Sequence, residues 1–248
     1  LIILGGLGFL VWEEMVRVKR FKKFSVYTKL VLLTSLGLIL CGTVVILALE
    51  WNNPQTLGNM PADEKILNGL FQSVTLRTAG FASFDQGALT EGSKAVSIVL
   101  MLIGGSSGST AGGIKTVTFV VLFAAALVVV RQKGEQINIF DRSITRQAVS
   151  KAVGVCCMSF GILFLSTVLL SIVTDADALD ILFETVSATA TVGLTRDLTP
   201  SLNAAGKAVI IGTMYLGRVG PISLAVAFRM RRKNHNSIKN PVEDISVG

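Results

Sequence analysis

Long apolar runs alternate with short polar stretches along the whole chain. The runs lie at 30–49, 95–103 continued by 117–130, 152–173 and 204–228. Alone or with its neighbour, each supplies the roughly 20 residues that a membrane-crossing helix needs. The pattern predicts that 1–12 finish a helix coming inward, 26–49 cross outward, 95–130 return, 152–173 cross outward and 203–229 come back. Two apolar pieces, "EKILNGLFQSVTLRTAGF" (64–81) and "ADALDILFETVSATATVGL" (176–194), are too short and too polar at their ends to span. Each sits between helix ends facing outside, so each is expected to enter and leave on the same side as a re-entrant loop. Irregular backbone at membrane depth is tolerated only where it is buried or lines a watery path.

These two pieces match each other. Phe71-Gln-Ser-Val-Thr75 aligns with Phe183-Glu-Thr-Val-Ser187, and Thr78-Ala79-Gly80-Phe81 with Thr191-Val192-Gly193-Leu194. The following helices also register, Met101-Leu-Ile-Gly104 against Met214-Tyr-Leu-Gly217. The expected fold is therefore an all-α membrane protein built from helix–re-entrant pore loop–helix repeats. Two repeats are complete, and the tail of another precedes them. The boundaries expected are 1–25 for that tail and a cytoplasmic linker, 26–131 for a pore repeat with a broken second helix, 132–151 for a second cytoplasmic linker, 152–231 for the next pore repeat and 232–248 for a cytoplasmic tail. Leu1 already stands inside an apolar run, so the chain reads as entered mid-helix.

Composition agrees. Charged residues make up 16% of the chain, against about 25% in soluble domains. The net charge of +7 does not point to nucleic acid, because the basic residues cluster by topology. Arg17, Lys19, Arg20, Lys22 and Lys23 form one group, Arg131, Lys133, Arg142, Arg146 and Lys151 a second, and Arg229, Arg231, Arg232, Lys233 and Lys239 a third. The loops between carry Glu50, Asp63, Glu64, Asp85, Glu91, Asp175, Asp177 and Asp180. The positive-inside bias puts the basic groups and the C-terminus in the cytoplasm of a multi-pass protein of the cell membrane. Trp12 and Trp51 flank helices at the interfaces. Cys41, Cys156 and Cys157 lie inside apolar runs without metal-ligand spacing and read as small apolar fillers.

The repeated tips suggest chemistry. Glycine in Thr191-Val192-Gly193 permits unusual backbone dihedrals, and rings of carbonyl oxygens can replace the water around a potassium ion. The preceding half-helix points its negative dipole end at the tip, which favours a cation.

At this point "VTLRTAGF", "GGSSGSTAGGIKT", "TVGL" and "GRVGPISLA" resemble the Trk/Ktr/HKT superfamily of potassium uptake proteins, and most closely the membrane subunit of bacterial Ktr systems. The likeness covers essentially the whole chain, and "LGGLGFLVWEE" (4–14) is similar to the end of a second repeat. The resemblance implies four repeats around one pore, of which the third and fourth are complete here. It implies K+ at the filter carbonyls of Thr78, Ala79, Gly80, Phe81, Thr191, Val192, Gly193 and Leu194. Ala190 departs from the glycine common there. It also implies a homodimer in membrane lipid, regulated by a cytoplasmic nucleotide-binding ring subunit, with no catalytic residue and no cofactor. It leaves open Na+ as a coupling (symport) or activating ion.

The cluster 104–116, "GGSSGSTAGGIKT", invites other readings. It nearly spells a phosphate-binding loop, but the lysine spacing is off by one and the flanks are membrane runs rather than a soluble strand and helix. Gly104-Gly-Ser106-Ser-Gly108 fits G-x-S-x-G, the mark of a serine peptidase, with Lys115 as a conceivable base, since the single histidine, His235, lies in the basic tail. Gly104, Gly108 and Gly112 also fit a doubled helix-packing motif. Length favours a break: 95–131 as one helix extends about 55 Å, against a hydrocarbon core of about 30 Å. In the resembled family this position is a mobile intramembrane gate loop. Gly104, Gly105, Ser106, Gly108, Gly112, Gly113 and Lys115 are thus expected to form a gate. Arg218, expected half-way along the last helix, is read as a barrier or loop anchor, or as the partner of Glu184. Arg77 is expected to hold a loop by donating to carbonyls, and Pro221 to kink the last helix. A two-repeat channel assembling as a dimer stays open as an alternative.

Overall fold

The computed structural model describes residues 1–131, 137–140 and 142–220. Pro221, His235, Lys133 and the tail 232–248 lie outside the described residues. The helices in order are α1 (Ile2–Leu7), α2 (Phe9–Val18), α3 (Val26–Glu50), α4 (Ala62–Thr75), α5 (Glu91–Leu102), α6 (Thr116–Val130), α7 (Arg146–Val173), α8 (Ala178–Thr189), α9 (Leu198–Ser201) and α10 (Ala204–Val219). A short antiparallel hairpin, Ile137–Ile139 with Arg142–Ile144, joins α6 to α7 and was not expected from the sequence.

α3 and α7 are each long and apolar enough to cross a membrane. Their outer faces leave Leu36, Leu40, Val44, Phe164 and Ile172 uncovered, as lipid contact requires. α7 begins at Arg146, six residues ahead of the apolar run, because the Thr145 hydroxyl caps it by accepting from the Ala148 amide. The helix at the start is broken by Gly8 (φ +84) into α1 and α2.

Two similar units result. α3 packs against the half-helix α4 and against α5, while α7 packs against the half-helix α8 and α10. The second helix of each unit starts at an equivalent cap, Thr90 accepting from the Ser93 amide and Asn203 from the Gly206 amide. α5 against α8 joins the units. Behind that seam lies a shared core in which Ile46, Leu76, Met101, Phe183, Val186 and Val192 are buried. Lipid tails are as apolar as these side chains, so close packing rather than the hydrophobic effect holds the seam. Gly42 shows the closeness: a Cβ there would stand 2.9 Å from the Leu100 side chain and against the Ser73 hydroxyl, which donates to the Ile39 carbonyl at 2.9 Å.

Candidate ion filter and gate loop

Each half-helix ends at the tip that the repeat marks. α4 stops at Thr75 and α8 at Thr189, so both negative ends face 78–81 and 191–194. The tips share one backbone pattern. Thr78 (φ +67) and Gly80 (φ +77) flank Ala79 as Thr191 (φ +54) and Gly193 (φ +93) flank Val192. Positive φ is costly for a threonine and free for a glycine. Its recurrence at the same two places in both copies is therefore a built feature.

Among the described residues, no donor reaches the carbonyls of 78–80 or 191–193. Thr78, Ala79, Gly80 and Thr191 are half-buried, Val192 is buried and Gly193 is exposed. Six carbonyls without a protein donor in two equivalent tips thus form a concentration of free oxygen ligands, and the buried Thr78 hydroxyl is also unpartnered. The tips face each other: a Cβ on Gly80 would fall on the Val192 carbonyl oxygen and 3.2 Å from the Gly193 Cα. A cavity of about 530 Å³ runs beside the second tip, from Thr195 and Thr199 past Thr191 and Gly193 to Arg218.

The segments that follow the tips are braced. Gln72 and Gln86 exchange amide hydrogen bonds at 2.6 and 3.2 Å. At the repeat-equivalent position, Glu184 accepts from the Thr195 hydroxyl (2.6 Å), the Arg196 amide (2.8 Å) and the Thr199 hydroxyl (2.6 Å). Arg196 straps these two segments together. Its Nε and Nη2 donate to the Gln86 and Gly87 carbonyls at 3.0 and 2.6 Å, and Nη1 pairs with Asp180. Lys94 reaches the same Asp180 at 3.3 Å.

The cluster 104–113 is neither helix nor phosphate loop. α5 stops at Leu102 and α6 starts at Thr116, and Gly108 (φ +74) and Gly113 (φ +67) exclude a packing helix there. The loop between is zipped at its neck by Gly104 N to Ile114 O (2.9 Å), Ile114 N to Leu102 O (3.1 Å) and Thr116 N to Gly105 O (3.1 Å). It lies directly under the second tip: a Cβ on Gly112 would fall on the Thr191 hydroxyl and 2.5 Å from the Ala190 carbonyl oxygen. Its far side is held by the start of the chain. The Phe9 amide donates to the Gly108 carbonyl at 3.2 Å, and the Tyr27 hydroxyl to the Ser107 carbonyl at 2.8 Å.

Ser106 is fully buried and donates to the Leu7 and Gly6 carbonyls. Lys115 donates to the Ala111 carbonyl at 2.5 Å, so the serine has carbonyls, not a base, beside it. A peptidase has no footing in this arrangement. Arg218 donates to the Thr110 carbonyl at 3.1 Å. The oxygens of Glu184 are taken up by the loop that follows the tip, so the alternative Arg218–Glu184 pair does not form. Arg218 also lies in the last turn of α10 rather than half-way along a helix, because α10 stops at Gly220 (φ +80). Arg77 is half-buried under the first tip, and its Nη2 lies 3.2 Å from the Ser35 hydroxyl and 3.5 Å from the Gly104 carbonyl. Both arginines therefore reach the loop neck or rim. Sequence reasoning missed the Arg196 strap, Tyr27 and the pin between Ser106 and the helix break at Gly8. All depend on residues distant in sequence, and only Arg196, one basic residue among outer acidic ones, carried a visible signal.

A mostly helical membrane protein with paired half-helices and free tip carbonyls is the class that these features define. Comparison with known proteins narrows it. The family model for the TrkH cation transport protein matches residues 1–239. The chain is 41% identical over its full length to the Ktr system potassium uptake protein B of Bacillus subtilis, of which it covers 55%. It is 39% identical to the protein of the same name from Vibrio alginolyticus, covering 54%, and 35% identical to the potassium/sodium uptake protein NtpJ of Enterococcus hirae, covering 56%. In structure it resembles the potassium transporter TrkH from Vibrio parahaemolyticus, with a TM-score of 0.71 over 91% of this chain and 50% of that one, at 16% identity. The chain belongs to the TrkH cation transport family, and it spans about half the length of the relatives it matches.

Proposed function

We propose that this chain forms half of a potassium uptake pore. K+ passes inward between the tips 78–81 and 191–194 and then past the loop 104–115, which gates it. The observation that carries this reading is the set of six carbonyls without protein donors, arranged alike in two tips that face each other. Uncharged carbonyl oxygens at the negative ends of two half-helices suit a weakly hydrated monovalent cation. Arg77 and Arg218, held against the loop rather than against acids, suit a loop whose closed form places positive charge below the filter. The names of the relatives, potassium and potassium/sodium uptake proteins, agree with this substrate class. Their length, about twice that matched, favours four repeats over a two-repeat dimer. The homodimer, the cytoplasmic ring subunit and a role for Na+ follow from the resemblance and belong to the same proposal.

The test is growth of cells lacking their own potassium uptake systems at low K+, with the complete parent reading frame or its Gly193→Asp variant. Rescue by the wild type, with a raised K+ requirement in the variant, supports the reading. Equal rescue by both overturns the placement of the filter.

A further inference from the structure

The two tips are held by the same residue of each half-helix, in the same two ways. Thr75 accepts the Ala79 amide on its backbone carbonyl at 3.0 Å and donates its hydroxyl to the Phe81 carbonyl at 2.6 Å. Ser187, its repeat equivalent, accepts the Val192 amide on its backbone carbonyl at 2.8 Å and donates its hydroxyl to the Leu194 carbonyl at 2.6 Å. The Thr75 hydroxyl also accepts the Phe81 amide at 2.8 Å, using one of the oxygen's lone pairs. Thr75 is 0% and Ser187 3% exposed, so neither hydroxyl has bulk water as an alternative partner.

From this we infer that Thr75 and Ser187 are positioning residues that set the length of each filter. The inference rests on the filter reading above. Each hydroxyl turns the fourth carbonyl of its tip back toward the half-helix. Phe81 and Leu194, expected from the sequence to offer their carbonyls to the ion, each give one of the oxygen's two lone pairs to a brace. The ion-facing rows are then 78–80 and 191–193, three carbonyls per tip, and these are the ones without protein donors. Positive φ at the first and third residue of each row fits the same limits. With a brace removed, the fourth carbonyl is free to swing and the row loses its fixed outer end. A row of fixed spacing discriminates K+ from Na+ better than a floppy one when coordination number and geometry decide selectivity. The two braces differ in residue type but share the hydroxyl, so chemistry rather than shape is the common element.

The experiment uses the complete transporter in liposomes, reading the apparent KM for K+, the ratio of K+ to Na+ uptake, and the Vmax per reconstituted protein. Thr75→Val and Ser187→Ala remove the hydroxyls, Thr75→Ser and Ser187→Thr keep them, and Gly193→Ser serves as a control on the filter itself. The expected result is a rise in KM and a loss of discrimination of about tenfold in each hydroxyl-free variant, the size of one buried hydrogen bond. The hydroxyl-keeping pair should stay within about twofold of wild type on the same scale. A fall in Vmax alone, with KM and ion ratio unchanged, would overturn the positioning role and leave a structural one. If Gly193→Ser shifts KM while the hydroxyl-free variants do not, the braces are refuted and the filter stands. If Gly193→Ser is also silent, the filter reading itself fails. Should Thr75→Val not accumulate, Ser187→Ala, which removes one oxygen atom from a small side chain, decides the matter alone.

Discussion

Replacing Gly104 with alanine tests the gating role proposed for the loop 104–115 at its neck. A Cβ at Gly104 would fall on the Gly112 carbonyl oxygen and 3.2 Å from the Gly113 Cα. Backbone cannot move aside there without parting the two strands of the neck. The Gly104 N to Ile114 O bond goes first, and Ile114 N to Leu102 O and Thr116 N to Gly105 O follow if the neck unzips. At about 1 kcal/mol net each, the loop as zipped here loses about 3 kcal/mol relative to a form with the neck parted, which the proposed function takes as the open one. That shifts the closed-to-open ratio on the order of 100-fold. Purified complete transporter in liposomes should then show a higher basal Vmax for rubidium uptake at an unchanged KM. The gain is capped by the fraction of molecules already open. A raised KM with unchanged Vmax would mean that the loop supports the filter instead of gating it. An unchanged profile with wild-type abundance would refute the reasoning altogether.

Other outcomes follow from the same geometry. Arg196→Ala removes the strap between the two segments that follow the tips and should raise the KM for K+. Arg196→Lys should restore little, because an ammonium cannot span the Gln86 and Gly87 carbonyls as the guanidinium fork does. Glu184→Gln replaces a carboxylate that accepts three hydrogen bonds with a group that has one acceptor oxygen, so about 1–3 kcal/mol of stability is lost. It should appear as a lower unfolding temperature in detergent. Ser106→Ala removes the hydroxyl's bonds to the Leu7 and Gly6 carbonyls, leaving the Ser106 amide on the Gly6 carbonyl, and should raise basal flux, whereas a fluorophosphonate probe should leave Ser106 of the wild type unlabelled.

Local and repeated features were legible in the sequence, and long-range ones were not. Two half-helices ending in matching tips could be read because apolar length and the Phe71–Phe183 alignment are local patterns. The break between α5 and α6 could be read because ten consecutive small residues, 104–113, sit in a run too long for one crossing. The end of α10 at Gly220 was signalled by the Gly220-Pro221 breaker, but it was read as a kink within a longer helix, and Arg218 was therefore placed too far from a helix end. The roles of Thr75 and Ser187 lay in plain view in the repeat alignment. What they hold depends on how the tip folds back, and neither periodicity nor spacing records that. Arg77, Arg196 and Arg218 find their carbonyl partners 27 to 110 positions away. Such contacts appear only when the two units are seen packed together.

The most direct test of the central claim is the ion preference of the complete reconstituted transporter when Gly80 and Gly193 are each changed to serine. Both glycines hold positive φ, +77 and +93, which a side chain tolerates poorly. The account predicts that either change raises the KM for K+ and strengthens competition by Na+ relative to wild type. Unaltered K+ affinity and ion preference in both variants, at normal abundance, would contradict it.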